Sequence, residues 1–255
     1  MVMYKQINIM GYNVFDEKLS SINIENVTKQ IVNTINPHSY VTAKSDALFQ
    51  EALLASGALI ADGSGIVLAA KKIHGKKIAK VAGADLHQYL LKELNKTNGS
   101  VFYMGAAPNT LMKIQERISV EFPNVRVGSY SPPFKADFSD EDNQVIIDSV
   151  NRFNPDVLFI GMTAPKQEKW LYQHKDKLNF KVASSIGAVF DFYAGTVVRP
   201  SQLWVSLHLE WLPRLLKEPR RLWRRNFIST PLFLFDMFKA ANSQRLSDRK
   251  TSGRV

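Results

Sequence analysis

Short apolar runs alternate with amphipathic stretches along residues 1–195, and the alternation predicts strands and helices in turn. Ser39–Thr42 (SYVT) reads as a strand leading to a helix over Asp46–Ser56. Ala58–Ala61 (ALIA) leads through Asp62-Gly63-Ser64-Gly65 to a helix over Ile66–Ile73. Val101–Met104 (VFYM) leads through Gly105-Ala106-Ala107-Pro108-Asn109 to Thr110–Phe122. Val157–Gly161 (VLFIG) leads through Met162-Thr163-Ala164-Pro165 to Lys166–His174, and Val182–Ile186 opens into Gly187–Asp191. A further strand is predicted at Val125–Gly128 and a helix at Asp140–Phe153.

Continuous apolar strands joined by amphipathic helices predict an α/β fold, a Rossmann-like, mainly parallel sheet with flanking helices. Ligands of such sheets bind beyond the carboxyl ends of the strands, so the loops after these strands should gather into one crevice. Ser131-Pro132-Pro133-Phe134 through Asp137 reads as a loop, either a lid or a plain connection. From about Thr196 the pattern changes. Arg199-Pro200 interrupts the alternation, and helical stretches follow at Leu203–Leu216, Pro219–Phe227 and Leu232–Ala241. The polar end of the chain has the composition of a disordered tail. The predicted division is a Rossmann-like domain over 1–195 and a helical appendage with that tail over 196–255.

Charge sharpens the division. The formal net charge is +10, and residues 196–255 hold 12 Lys/Arg against 4 Asp/Glu, a net of +8. That local excess points to an anionic partner: lipid headgroups, a diphosphate or nucleic acid. Trp204, Trp211 and Trp223 are interleaved with Arg214, Arg220, Arg221, Arg224 and Arg225, a pattern that suits a membrane interface better than a nucleic-acid arm. Phe227, Leu232, Phe233, Leu234, Phe235, Met237 and Phe238 extend the apolar surface. No run reaches the roughly 18 apolar residues of a membrane span, and the start lacks the pattern of a signal peptide, so peripheral contact is expected. The absence of cysteine excludes disulfides, thiolate metal sites and cysteine nucleophiles.

Several residues in the strand-end loops could carry chemistry. Asp62 could act as a general base or cap the next helix. Gly63-Ser64-Gly65 is followed by Leu68 where a dinucleotide fingerprint needs its third glycine. Pro165 can open a helix whose first turn, Lys166-Gln167-Glu168, suits an anion or a hydrogen-bonded base or sugar. Gly105–Thr110 could let a phosphate or ribose approach the backbone, or be an ordinary turn. Thr42 and Lys44 would close the first strand beside the same crevice. Asp191, within Gly187–Gly195, is a pocket wall or a hydrogen-bonded core carboxylate. Asp140-Glu141-Asp142 spells the DxD of metal-dependent sugar transfer but fits a helix start better, and the five histidines show no metal-ligand spacing.

Together these residues resemble the WecG/TagA/CpsF family of bacterial glycosyltransferases, from about Asn8 to Arg225. The motifs are Asp62-Gly63, Ala-Pro-Lys-Gln-Glu at 164–168, Phe190-Asp191-Phe192-x-Ala194-Gly195, and Glu210-Trp211-Leu212-x-Arg214-Leu215 with Glu218-Pro219-x-Arg221. The resemblance implies a UDP-sugar donor, a polyprenyl-diphosphate-linked sugar acceptor and no essential metal or other cofactor. It implies inverting transfer of an N-acetylmannosamine-type sugar or a hexose, in surface polysaccharide or teichoic acid synthesis. Asp62 would be the base and Thr42 would lie beside the reacting sugar. Lys44, Gly63, Lys80, Gly105, Ala106, Pro108, Gly161, Pro165, Lys166, Gln167, Glu168 and Asp191 would line the substrate site. Arg214, Arg221 and Arg224 would approach the acceptor diphosphate at the cytoplasmic face of the membrane. Self-association is compatible with the family, and nucleic acid is not an expected partner. The family pattern has Asn two residues after the threonine, where this chain has Lys44, and Arg where it has Lys80. Gly-Ser becomes Thr163-Ala164, and Arg-Ala-Pro becomes Arg199-Pro200-Ser201. The other readings are a nucleotide-binding Rossmann protein, such as a dehydrogenase, and a nucleic-acid-binding protein that uses its basic tail.

Overall fold

Eight strands form one sheet in the order β1-β2-β4-β3-β8-β7-β5-β6 in the computed structural model, which describes residues 4–197 and 223–252. The strands are β1 (Gln6–Ile9), β2 (Tyr12–Phe15), β3 (Gln30–Ile35), β4 (Ala58–Ala61), β5 (Ser100–Gly105), β6 (Arg126–Tyr130), β7 (Val157–Gly161) and β8 (Val182–Ser185). Among the described residues only the β1–β2 hairpin is antiparallel, and every other pairing is parallel. Helices cover both sides of the central strands, and β4, β5 and β8 are buried throughout.

The helices are α1 (Pro37–Ala43), α2 (Ala47–Leu54), α3 (Ser64–His74), α4 (Gly83–Thr97), α5 (Pro108–Glu121), α6 (Asp140–Phe153), α7 (Lys166–His174) and α8 (Val189–Tyr193). After the undescribed residues, a π-helical turn over Arg225–Ser229 runs into α9 (Thr230–Ser252). The predicted helices at Leu203–Leu216 and most of Pro219–Phe227 lie outside the described residues, as do Arg214 and Arg221.

One predicted strand is a helix. Ser39–Thr42 belongs to α1, and the strand before it is β3. The cause is a capping box. Asn36 Oδ1 accepts from the backbone N–H groups of His38 and Ser39, each at 3.0 Å, and the Asn36 N–H donates to Ser39 Oγ at 2.8 Å. Pro37 occupies the first helical position, where its missing N–H costs nothing. β3 hides from periodicity because it buries Asn33, whose amide donates to Ser56 Oγ at 3.0 Å and whose oxygen accepts from the Ser185 N–H at 3.3 Å.

The last described helix reaches further than the apolar pattern predicts. α9 continues to Ser252, into the polar stretch at the end of the chain. It packs on α1 and α3, burying Phe233, Met237 and Ala241 at a four-residue spacing. Phe233 and Met237 join the same apolar cluster as Ile35, Phe49 and Ile66 of the sheet domain. On the opposite side of the helix, Leu232, Phe235, Phe238 and Leu246 are exposed, with Phe227 and Ile228 exposed on the turn before it. No helix among the described residues is long and apolar enough to cross a membrane.

Candidate functional site

Four neighbouring strands, β4, β3, β8 and β7, direct their carboxyl ends into one cavity of about 390 Å³. β3 contributes Thr34 and, through the start of α1, Asn36, His38 and Ser39. β4 contributes Asp62. The β7–α7 turn contributes Met162, Thr163, Ala164, Gln167 and Glu168, and the β8–α8 turn contributes Ser185 through Val189 with Asp191 and Phe192. Ala82–Ala84 close one side, and Arg225 enters from the C-terminal segment. This is the sheet edge where parallel α/β folds bind ligands.

Local geometry places Asp62 firmly. Its N–H donates to the Ile35 carbonyl at 2.9 Å, which extends the β3–β4 ladder by one residue and holds the side chain at the strand end. Gly63 then turns with φ +89° as the residue preceding α3, a conformation that side-chain-bearing residues rarely adopt.

The first turn of α7 is the most polar part of the wall. Gln167 and Glu168 are both buried, and Gln167 Nε2 donates to Glu168 Oε1 at 2.8 Å. Gln167 Oε1 and Glu168 Oε2 have no hydrogen-bond partner. Burial raises the Glu168 carboxyl to about 7, against the smaller opposing effect of the Gln167 amide. Pro165 directly precedes the helix. Lys166 turns away from the cavity: its ammonium donates to the Lys135 carbonyl at 2.6 Å and sits 3.6 Å over the Phe138 ring. Burial lowers its pKa. The loop of residues 131–138 is therefore tied to the head of α7, and Phe134 at its tip is fully exposed.

The opposite wall was missed in the sequence. His38 Nδ1 and Ser229 Oγ are hydrogen-bonded at 2.9 Å, joining α1 to the C-terminal segment. Burial, with the Arg225 guanidinium adding to it, lowers the His38 pKa and keeps the ring neutral. A capping box reading of Asn-Pro-x-Ser would have found this helix start.

The remaining candidates divide. Thr42 is not among the residues lining the cavity; its hydroxyl donates to the His38 carbonyl at 2.9 Å within α1. Lys44 lies past the end of that helix and donates to Asp236 of α9 at 2.6 Å. The Thr-x-Asn spacing of the family pattern is met instead by Thr34-Ile35-Asn36, whose Thr34 and Asn36 line the cavity. Gly105, Ala106 and Pro108 sit one strand beyond the wall. A Cβ at Gly105 would fall 2.7 Å from the Gly161 carbonyl oxygen, and one at Gly161 would fall 2.4 Å from the Phe190 ring, so close packing explains both glycines. Lys80 is exposed just before the Ala82–Ala84 wall. Arg224 is exposed and lies 5.6 Å over the Trp223 ring, whereas its neighbour Arg225 faces the cavity. Asp191 lies in the wall, with Thr196 Oγ1 donating to its Oδ1 at 3.3 Å.

Asp140-Glu141-Asp142 is the first turn of α6. Ser139 caps it, and Asp142 returns the contact and pairs with Lys135 at 2.8 Å. Among the described residues, no cluster of three or more His, Asp or Glu side chains is arranged to hold a metal ion.

Known proteins share this chain's length and pattern. An N-acetylglucosaminyldiphosphoundecaprenol N-acetyl-beta-D-mannosaminyltransferase of Bacillus subtilis is 27% identical over 215 residues, covering 84% of this chain and 81% of that protein. Its namesake of Bacillus spizizenii is 29% identical, covering 81% of this chain and 77% of that protein. A third, from Staphylococcus aureus, is 24% identical, covering 92% of this chain and 93% of that protein. The model of the glycosyl transferase WecG/TagA/CpsF family matches residues 7–247. The α/β sheet, its strand-end cavity and this match over nearly the whole chain identify the protein as an enzyme, a glycosyltransferase of the WecG/TagA/CpsF family.

Proposed function

We propose that the enzyme transfers an N-acetylmannosamine-type sugar or a hexose from a UDP-sugar to a polyprenyl-diphosphate-linked sugar, with inversion at the anomeric carbon. One observation carries the reading. A strand-end carboxylate, Asp62, shares a single cavity with the buried Gln167–Glu168 pair, which keeps one unsatisfied oxygen on each residue, and with Arg225. The names of the relatives support the acceptor and the sugar class. Asp62 takes the proton of the acceptor hydroxyl as that oxygen attacks the anomeric carbon. The carbon–oxygen bond to the diphosphate breaks, and UDP departs with the electron pair. Arg225 offers a cation to the diphosphate charge, so the reaction needs no resident metal. Thr34 and Asn36, rather than Thr42 and Lys44, border the sugar on the β3 side.

The exposed face of α9 seats the enzyme on the membrane that holds the acceptor. Leu232, Phe235 and Phe238 enter the headgroup boundary, near the cationic C-terminal segment.

A screen of UDP-sugars with a short-chain lipid-diphosphate-N-acetylglucosamine acceptor tests the reaction. UDP should appear with one or a few sugars, only when acceptor is present, and equally in EDTA. Release of no UDP from any of them overturns the reading.

A further inference from the structure

Two adjacent side chains at the head of α7 are buried without enough partners. Gln167 and Glu168 are 4% and 5% exposed. Their mutual hydrogen bond of 2.8 Å leaves Gln167 Oε1 and Glu168 Oε2 unsatisfied, and both residues line the cavity. Buried polar atoms are rarely left open unless something else comes to fill them. Gly187 flanks the Gln167 amide with no side chain to cover it.

A charged carboxylate here would have most of its lone pairs empty in a dry wall, a costly arrangement. Among the described residues no ion pair offsets it. Lys169, the next residue, donates to Asp46 of α2 at 2.9 Å, and Lys166 is held by the Lys135 carbonyl. Glu51 of α2 is exposed, and β7 and β8 beneath the helix carry no titratable side chain. The far end of α7 and the turn after it add His174, Lys175, Asp176 and Lys177. Across the cavity stand Asp62, Asp191, His38 and Arg225. Among the described residues Glu168 Oε2 has no hydrogen-bond partner, and Oε1 is held by Gln167. The neutral acid is the form the wall accommodates, in keeping with a carboxyl raised to about 7.

A neutral Glu168 presents an O–H donor beside the carbonyl acceptor of Gln167. One donor next to one acceptor complements an amide whose C=O and N–H lie on the same side. The acetamido group of a sugar is a trans amide, and its two groups point apart. The ring imide of uracil is cis, and its C=O and N–H lie side by side. We propose that the Gln167–Glu168 pair reads the uracil of the donor, with Glu168 Oε2 donating to a ring carbonyl and Gln167 Oε1 accepting the ring N–H. The pair is then the element that separates uridine from cytidine nucleotides, because cytosine reverses the donor and acceptor along that edge. This rests on the UDP-sugar reading above.

The test is calorimetric binding of UDP-glucose and CDP-glucose to the full chain at pH 6 and pH 8. Neither ligand has a phosphate that titrates in this window. The wild type should bind UDP-glucose more tightly at pH 6, and that affinity should fall by about tenfold by pH 8, as Glu168 loses the donating proton. In E168Q the amide N–H persists at every pH, so the pH dependence should vanish. E168A should lose most of the preference for UDP-glucose over CDP-glucose. A flat wild-type profile, or one that survives in E168Q, overturns the assignment. If the wild type binds UDP-glucose tightly in those cases, the donor reading stands alone; if it binds no uridine ligand, both fall.

Discussion

The turns after β5 and β7 look alike in the sequence and differ in the molecule. Both run from an apolar strand through small residues and a proline into a helix, and both read as ligand cradles. After β5, the small residues serve packing: Gly105 meets the Gly161 backbone, and the Ala106 carbonyl accepts from Ser131 Oγ at 2.8 Å. After β7, two buried polar atoms have nothing to bond. Glycine tells where the backbone must come close; an unsatisfied buried atom in a cavity wall tells where a ligand can bond.

Substitutions can break this contrast. The largest stability effect is expected for Gly105→Ala, which places a Cβ against Gly161 at φ +112°. It should lower unfolding stability by about 3 kcal/mol in thermal or urea melts, and the folded fraction should bind UDP normally. Gln167→Ala should do the reverse, lowering UDP-sugar affinity roughly tenfold with a smaller change in melting temperature. If Gly105→Ala impairs binding and Gln167→Ala does not, the two turns have been assigned the wrong way round.

The C-terminal helix allows a second comparison, between its two faces. Replacing Leu232, Phe235 and Phe238 together by Ser should weaken co-sedimentation with anionic liposomes by on the order of a hundredfold, while UDP release with a soluble acceptor persists. Replacing Phe233 should instead destabilise the fold, because it is fully buried. Equal liposome binding by the triple variant would remove the outer face from the membrane role. The smallest effect is expected at Lys44. Its pair with Asp236 is half exposed on the lysine side, so Lys44→Ala should cost less than about 1 kcal/mol and leave turnover within about twofold.

Much of this was legible in the sequence. β4, β7, α6 and α7 fall where hydrophobic periodicity puts them, because each has an unbroken apolar run or a clean amphipathic face. Asp62, Gln167, Glu168 and Asp191 meet in the cavity as the strand-end rule requires. What failed was the segment from Gln30 to Lys44. Buried Asn33 broke the apolar signature of β3, and the valine and tyrosine of α1 imitated a strand. With β3 hidden, Thr42 and Lys44 stand in the sequence where Thr34 and Asn36 stand in the cavity. The cavity roles of His38 and Arg225 were not legible for another reason: the two share a wall only because the C-terminal segment folds back on α1, where His38 bonds Ser229, a contact between residues far apart in the chain.

The central claim is that Asp62 performs the proton transfer in this cavity. The direct measurement is acceptor-dependent UDP release by Asp62→Asn, alongside its affinity for UDP. Turnover should fall by about 10²–10⁴-fold while UDP binds within a few-fold of wild type. Near-wild-type turnover in that variant would contradict the account.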